Sequence, residues 1–217
     1  MLLERGDVNL DKVNRRGRTP LSLAAQNGHG GVVRVLLERN DVSPDEVNRR
    51  GRTPLSLAAQ NGHEGVVRTL LERKDVNPDK SDWRRRTPLL IASANGHEGV
   101  VRMLLERNDV NPDKPQLVRI TPLSWASQCG HEGVVRMLLE RNDVNPNHRD
   151  LLGLTPLLWA SLSGHEGVLT MLSERSDANP HKLPRWHRGL LWLGSRDFVS
   201  GGRELRMLLE RQSPQTG

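Results

Sequence analysis

Five histidines, His29, His63, His97, His131 and His165, recur every 34 residues, and imidazoles at fixed spacing first raise the question of a metal. Zinc needs its ligands within about 2.0–2.3 Å of one point. Equivalent residues of neighbouring packed helices lie roughly 10 Å apart. The spacing therefore excludes a shared ion and points to a turn histidine that binds nearby backbone. His181 and His187 flank a variable loop with no other ligand types beside them, and His148 is alone. Cys129 has His131 two residues on, which suggests a nucleophile and a base, but helix-end geometry aims them apart and no third group orients the pair. Ser22, Ser56 and Ser124 occupy one repeated position and need no catalytic role. The glycines lie singly at turns and form no phosphate-cradling loop. The chain reads as non-enzymatic, with no catalytic residue, cofactor or metal expected.

The elements that carry these residues share the same period. Thr-Pro-Leu returns at Thr19, Thr53, Thr87, Thr121 and Thr155, and each copy is followed in register by Gly-His, as in Gly62-His63. A 34-residue unit cannot bury its own apolar face, so copies must stack to share a core. Within a unit, Thr53 and Pro54 read as a helix start, a hydroxyl cap followed by a proline at the first helical position. A short helix runs from Leu55 to about Asn61, with Ala58 and Ala59 small enough for a neighbour to approach closely. Gly62 supplies the positive φ that ends it. A second helix is predicted from about Glu64 to Arg73, with Val66, Val67, Leu70 and Leu71 on its buried face. The turn-rich Asp75-Val76-Asn77-Pro78-Asp79 then leads to the next copy. The ladders Glu64, Arg68, Glu72 and Glu98, Arg102, Glu106 read as solvated helix faces with weak pair energies.

The whole chain has 217 residues, a net charge of +6 and 35% hydrophobic residues. No apolar run is long enough to span a bilayer, and no charged-then-apolar leader opens the sequence. A single cysteine excludes an internal disulfide and fits a reducing compartment, so cytoplasm or nucleus is the expected location. Arginine dominates the cations, with lysine only at positions 12, 74, 80, 114 and 182, which favours an anionic partner.

Helix, tight turn, helix and protruding hairpin, together with T-P-L, A-A or A-S, G-H, V-V and L-L, resemble the ankyrin repeat over about Thr19 to Arg188. A tetratricopeptide array shares the period but needs bulky aromatics, and this chain has no tyrosine and one phenylalanine. The resemblance implies an all-α ankyrin-repeat solenoid of stacked helix-turn-helix units with protruding hairpin loops. Its expected parts are a partial unit over 1–18, repeats over 19–52, 53–86, 87–120, 121–154 and 155–188, and a degenerate closing repeat with a tail over 189–217. Two departures stand out. The histidine usual after T-P-L is Ser22, Ser56, Leu90, Ser124 and Leu158 here, which removes the family's inter-repeat hydrogen bonds from that position; the unit is also one residue longer, which lengthens the hairpin. Met1 through Arg5 align with Met103 through Arg107, so the array is expected to begin in mid-repeat, as in a fragment of a longer protein. Leu190, Leu191, Trp192 and Leu193 are expected to cap the other end. Repeats this uniform resemble the near-identical ankyrin arrays of filamentous fungi, which often follow a nucleotide-binding NACHT domain.

Comparing units within the chain separates scaffold from variable surface. Second-helix positions are nearly constant. The differences gather in the hairpins and at the end of the first helix, at Gln26, Gln60, Ala94, Gln128 and Leu162. In proteins of the resembled family those regions line a concave groove that grips partners. The candidate contacts run from Arg15, Arg16, Arg18, Arg49, Arg50, Arg52, Arg84 and Arg86, through Trp83, to Leu117, Val118, Ile120, Leu151, Leu152, Leu154 and Leu162. Guanidinium suits carboxylate or phosphate, and an aromatic beside arginine suits an interface anchor. The expected partner is a protein or peptide with acidic and apolar segments; the alternative is a nucleic acid or phosphorylated surface on the arginine tips, and no membrane. Segments 12–18, 46–52 and 80–86 carry +4, +2 and +3, and 148–154 sums to zero. Arg85 and Arg119 replace the glycine of Gly17, Gly51 and Gly153, so those two tips are expected to bend differently or to carry strain.

Overall fold

The computed structural model describes residues 12–39 and 41–175. The expectations for Met1 through Arg5, for His181 and His187, for the last variable loop and for the closing repeat lie outside these residues. The described residues fall in two compact units, one within Met1–Asn111 and one within Pro112–Gly217. In the first, the helices are α1 (Pro20–Gln26), α2 (Gly30–Leu37), α3 (Pro54–Asn61), α4 (Glu64–Leu71), α5 (Pro88–Ala94) and α6 (Glu98–Leu105). In the second they are α7 (Pro122–Cys129), α8 (Glu132–Leu139), α9 (Pro156–Ser163) and α10 (Glu166–Glu174). There is no strand among the described residues.

Each first helix starts where a buried threonine caps it. Thr53 Oγ1 accepts the amide of Ser56 at 3.1 Å, and the same bond recurs at Thr19, Thr87, Thr121 and Thr155. A cap of this kind contributes about 1 kcal/mol. The serine hydroxyls stay in their own turn: Ser22 and Ser56 each donate to the carbonyl of the capping threonine at 2.9 Å. Gly62, at φ 71, closes α3 in the left-handed region, and so do Gly130 for α7 and Gly164 for α9.

In each repeat the two helices pack against each other, and within each unit like helices of successive repeats pack side by side. In the first unit α1, α3 and α5 form one row and α2, α4 and α6 the other; in the second, α7 meets α9 and α8 meets α10. The shared core is Leu21, Leu55 and Leu89 from the first row with Val33, Val67, Leu70, Val101 and Leu104 from the second, all fully buried. Truncating one such leucine costs about 2–5 kcal/mol. Leu71 is only half-buried, and α4 stops there because Glu72 is its cap and Arg73 turns away. No ion pair forms within the Glu64, Arg68, Glu72 ladder among the described residues. Instead the Glu64 carboxylate bends over the next repeat, where a Cβ on Gly99 would sit 2.0 Å from it.

Polar pins hold the repeats in register. His63 Nε2 donates to Gln26 O at 2.9 Å, His97 Nε2 to Gln60 O at 2.9 Å, and His165 Nε2 to Gln128 O at 3.0 Å. Each ring reaches back to the preceding repeat, which the serine position no longer does. The preceding glycine makes room for it, since a Cβ on Gly62 would lie 2.7 Å from His97 Nδ1. Arg73 Nη1 donates to Leu37 O at 2.6 Å and Arg107 Nη1 to Leu71 O at 3.0 Å, and Arg175 does the same to Leu139 O. These arginines cap the open carbonyls of a neighbouring helix end, where a cation is also favoured by the helix dipole. Arg73 and Arg107 each chelate the aspartate two residues on as well. A share of the basic excess is thus spent on architecture.

Candidate partner-binding site

The segments expected to protrude as hairpins are tight five-residue loops, and four of the five among the described residues are held by one short polar side chain. Asn48 N donates to Arg52 O at 3.1 Å, Gly51 N to Asn48 O at 2.8 Å, and Asn48 Oδ1 accepts the amides of Arg50 and Arg52 at 2.9 and 3.2 Å. Asn14, Asp82 and Asp150 build the same frame. Gln116 keeps the backbone bonds, but its longer side chain makes none of the amide bonds among the described residues. The fourth loop residue needs positive φ, supplied by Gly17, Gly51 and Gly153. Arg85 and Arg119 take it at φ 61 and 62, so these tips keep the common bend and accept the strain. Adjacent tips are tied by single backbone bonds, Trp83 N to Arg50 O at 3.3 Å in the first unit and Leu151 N to Val118 O at 3.1 Å in the second.

The frame sorts the candidate side chains into two sets. Arg15, Arg16, Arg49, Arg50, Trp83 and Arg84 are exposed in the first unit, and Leu117, Val118, Leu151, Leu152 and Leu162 in the second. Trp83 is 71% exposed and lies along the backbone of Gly51, where a Cβ would come within 2.5 Å of its Cδ1. The last tip residue, one before the capping threonine, turns inward. Ile120 and Leu154 are only 8% and 3% exposed, which corrects their place among surface contacts: they pack beneath the loop. Arg18 is half-buried at the same position. The Arg52 side chain is 13% exposed, and Arg86 is likewise drawn in, toward an Asp82 carboxylate that is 2% exposed.

Asp82 organises this pocket of charge. Its Oδ2 accepts Arg86 Nη2 and Nε at 2.6 and 2.9 Å, and Arg52 Nε stands 3.7 Å away. Burial alone would push the Asp82 carboxyl up, but hydrogen bonds from Arg86 outweigh it and hold the group below the ordinary carboxylate range. Burial and then the positive charge of Arg86 push the Arg52 guanidinium down. Its Nη1 donates to Gln60 Oε1, so this variable first-helix position, expected to face a partner, is engaged within the protein. In the second unit Asp150 meets no arginine there; its Oδ2 accepts Trp159 Nε1 at 3.1 Å. The locking residue escaped notice in the sequence, although Asn14, Asn48, Asp82, Gln116 and Asp150 share one repeat position.

No group of three metal-ligating side chains occurs among the described residues. Partial burial pushes the Cys129 thiol up, away from the reactive thiolate. No helix among the described residues is long and apolar enough to cross a membrane. Within each unit the repeats stack through constant pins, and the variable tips face outward. The chain belongs to the ankyrin-repeat family: the family described as ankyrin repeats (3 copies) matches residues 1–82, 40–116 and 108–182. Members of that family generally mediate protein–protein interaction and are typically not enzymes. No curated protein matches the chain.

Proposed function

We propose that this chain is a non-catalytic scaffold that holds a protein partner on its loop tips and first-helix ends, in the cytoplasm or nucleus. The observation that carries the reading is the division of labour within the repeats. Positions that repeat, such as Leu55, Val67, Leu70, His63 and Arg73, are buried or spent on pins between repeats. Positions that vary, such as Trp83, Leu117, Leu151 and Leu162, are exposed and have no structural task that would explain an apolar residue there. Scattered apolar residues on a surface are ordinary; several gathered on adjacent tips of one unit favour a contact surface.

The two units offer different chemistry. The first presents guanidinium groups around one indole, and the second presents leucine and valine. The matching partner is a protein or peptide with an acidic segment and an apolar segment. The test is partner capture with the intact chain, comparing Arg49→Glu/Arg50→Glu with Leu151→Asp/Leu152→Asp. All four side chains point outward, so both variants should fold. Each is expected to lose partners that the unaltered chain retains; identical partner sets for all three proteins would remove the tips as the binding surface.

A further inference from the structure

The tips 46–52 and 80–86 of the first unit carry more guanidinium than their own acids can use. Arg49, Arg50, Arg84 and Arg85 are exposed, and no carboxylate among the described residues pairs with them. The one carboxylate at the centre, Asp82, is buried and already engaged by Arg86 and by two backbone amides. Arg52 Nε is buried with no acceptor, too far from Asp82 for a hydrogen bond. The two segments sum to +2 and +3. Arg85 adds to the cations of the tip. It puts a further guanidinium on the tip at a left-handed position where the two preceding tips of the same unit have Gly17 and Gly51, as Arg119 does at the equivalent position of the second unit.

We propose that these two tips bind a phosphomonoester carried by the partner's acidic segment, with Arg50, Arg84 and Arg85 as its contacts. Arg52 and Arg86, locked around Asp82 and Gln60, act as positioning residues that fix the tips and contribute field. A carboxylate has one charge and two oxygens, which a single guanidinium fork satisfies. A phosphomonoester brings up to two charges and three terminal oxygens, enough for several forks at once. Nucleic acid fits less well. A single strand is held by successive aromatic platforms, and Trp83 is the one exposed aromatic among the described residues. The indole instead flanks the cations as an apolar anchor for a peptide residue next to the phosphate.

The inference rests on the tips being the partner-binding surface, and its test separates the two ideas. The full chain, isotope-labelled, is titrated at constant ionic strength with inorganic phosphate, a capped phosphoserine, a capped glutamate and a twelve-residue oligothymidylate, following the arginine side-chain N–H resonances. The phosphoserine probe is expected to move the Arg50, Arg84 and Arg85 signals and to bind at least tenfold more tightly than the glutamate probe. Arg50→Gln and Arg84→Gln should each weaken it threefold or more. Arg85→Gly should weaken it while raising the melting temperature, which separates ligand loss from unfolding. Equal affinity for phosphoserine and glutamate, or unchanged affinity in Arg50→Gln and Arg84→Gln, would overturn the proposal, as would much tighter binding of the oligothymidylate that falls steeply when its titration is repeated at higher salt. If phosphoserine fails while Arg49→Glu/Arg50→Glu still loses its partners, this inference falls and the tip surface stands; if both fail, the tip surface falls too.

Discussion

Asp82 and Asp150 sit at the same repeat position in the two units and fold the same five-residue loop, yet their surroundings share almost nothing. Asp82 is clamped by Arg86 with Arg52 nearby. Asp150 accepts an indole N–H from Trp159, and Leu154 fills the space that Arg86 fills in the other unit. In these two loops backbone amides meet one carboxylate oxygen, and the frame is indifferent to whether the inward residue is arginine or leucine; the Gln116 loop keeps the same bend on its backbone bonds alone. Because the frame is fixed by so little, the outward positions are free to change chemistry, from Arg49, Arg50 and Arg84 to Leu117, Leu151 and Leu152.

The largest test of that comparison is the inward residue itself. Leu154→Ala should destabilise the protein by about 2–4 kcal/mol in denaturant unfolding, while its outward neighbour Leu152→Ala should stay within about 0.5 kcal/mol. Equal effects would mean that the frame does not sort inside from outside. Next is the locking carboxylate. Asp82→Ala strips two half-buried arginines of their counter-charge as well as two amides of their acceptor, and about 3 kcal/mol is expected; Asp150→Ala loses only neutral donors and should cost about 1–2 kcal/mol. The left-handed position gives a smaller and opposite pair. Arg85→Gly should raise stability by about 1 kcal/mol, and Gly153→Ala should lower it by about the same amount, read as shifts in melting temperature.

The smallest effect is on pH. The Asp82 pKa is held below its unfolded value, so its stabilisation is complete above the ordinary aspartate range, near pH 4, and is lost as pH falls through the lower folded value. Unfolding free energies measured across the acid range should show this loss in the unaltered chain, and Asp82→Asn should flatten it. An unchanged acid profile in Asp82→Asn would assign the loss to other carboxylates.

The repeat register, the threonine caps and the left-handed glycines were legible in the sequence because each is a local backbone requirement met by a particular residue type. The direction of loop side chains was not. Arg52, Arg86, Ile120 and Leu154 belong to segments with no helical or strand period, so nothing in their spacing marks them as inward. The pins were hidden for a different reason. His63 reaches Gln26 O and Arg73 reaches Leu37 O, 37 and 36 residues back along the chain, and only the stacking of helices brings such atoms together. The identity of the exposed arginines at Arg49, Arg50 and Arg84 as surface cations was readable, whereas the half-buried network that Asp82 makes of Arg52 and Arg86 required the loop to be seen closed.

The central claim is that variable tips, and not the constant second helices, meet the partner. It is tested most directly by placing a photo-crosslinking side chain at Trp83 or Leu151 and, for contrast, at the exposed second-helix positions Arg68 and Arg136. Crosslinks to one protein from the tip positions and none from Arg68 or Arg136 are predicted. Crosslinking from Arg68 and Arg136 with silent tips would contradict the account.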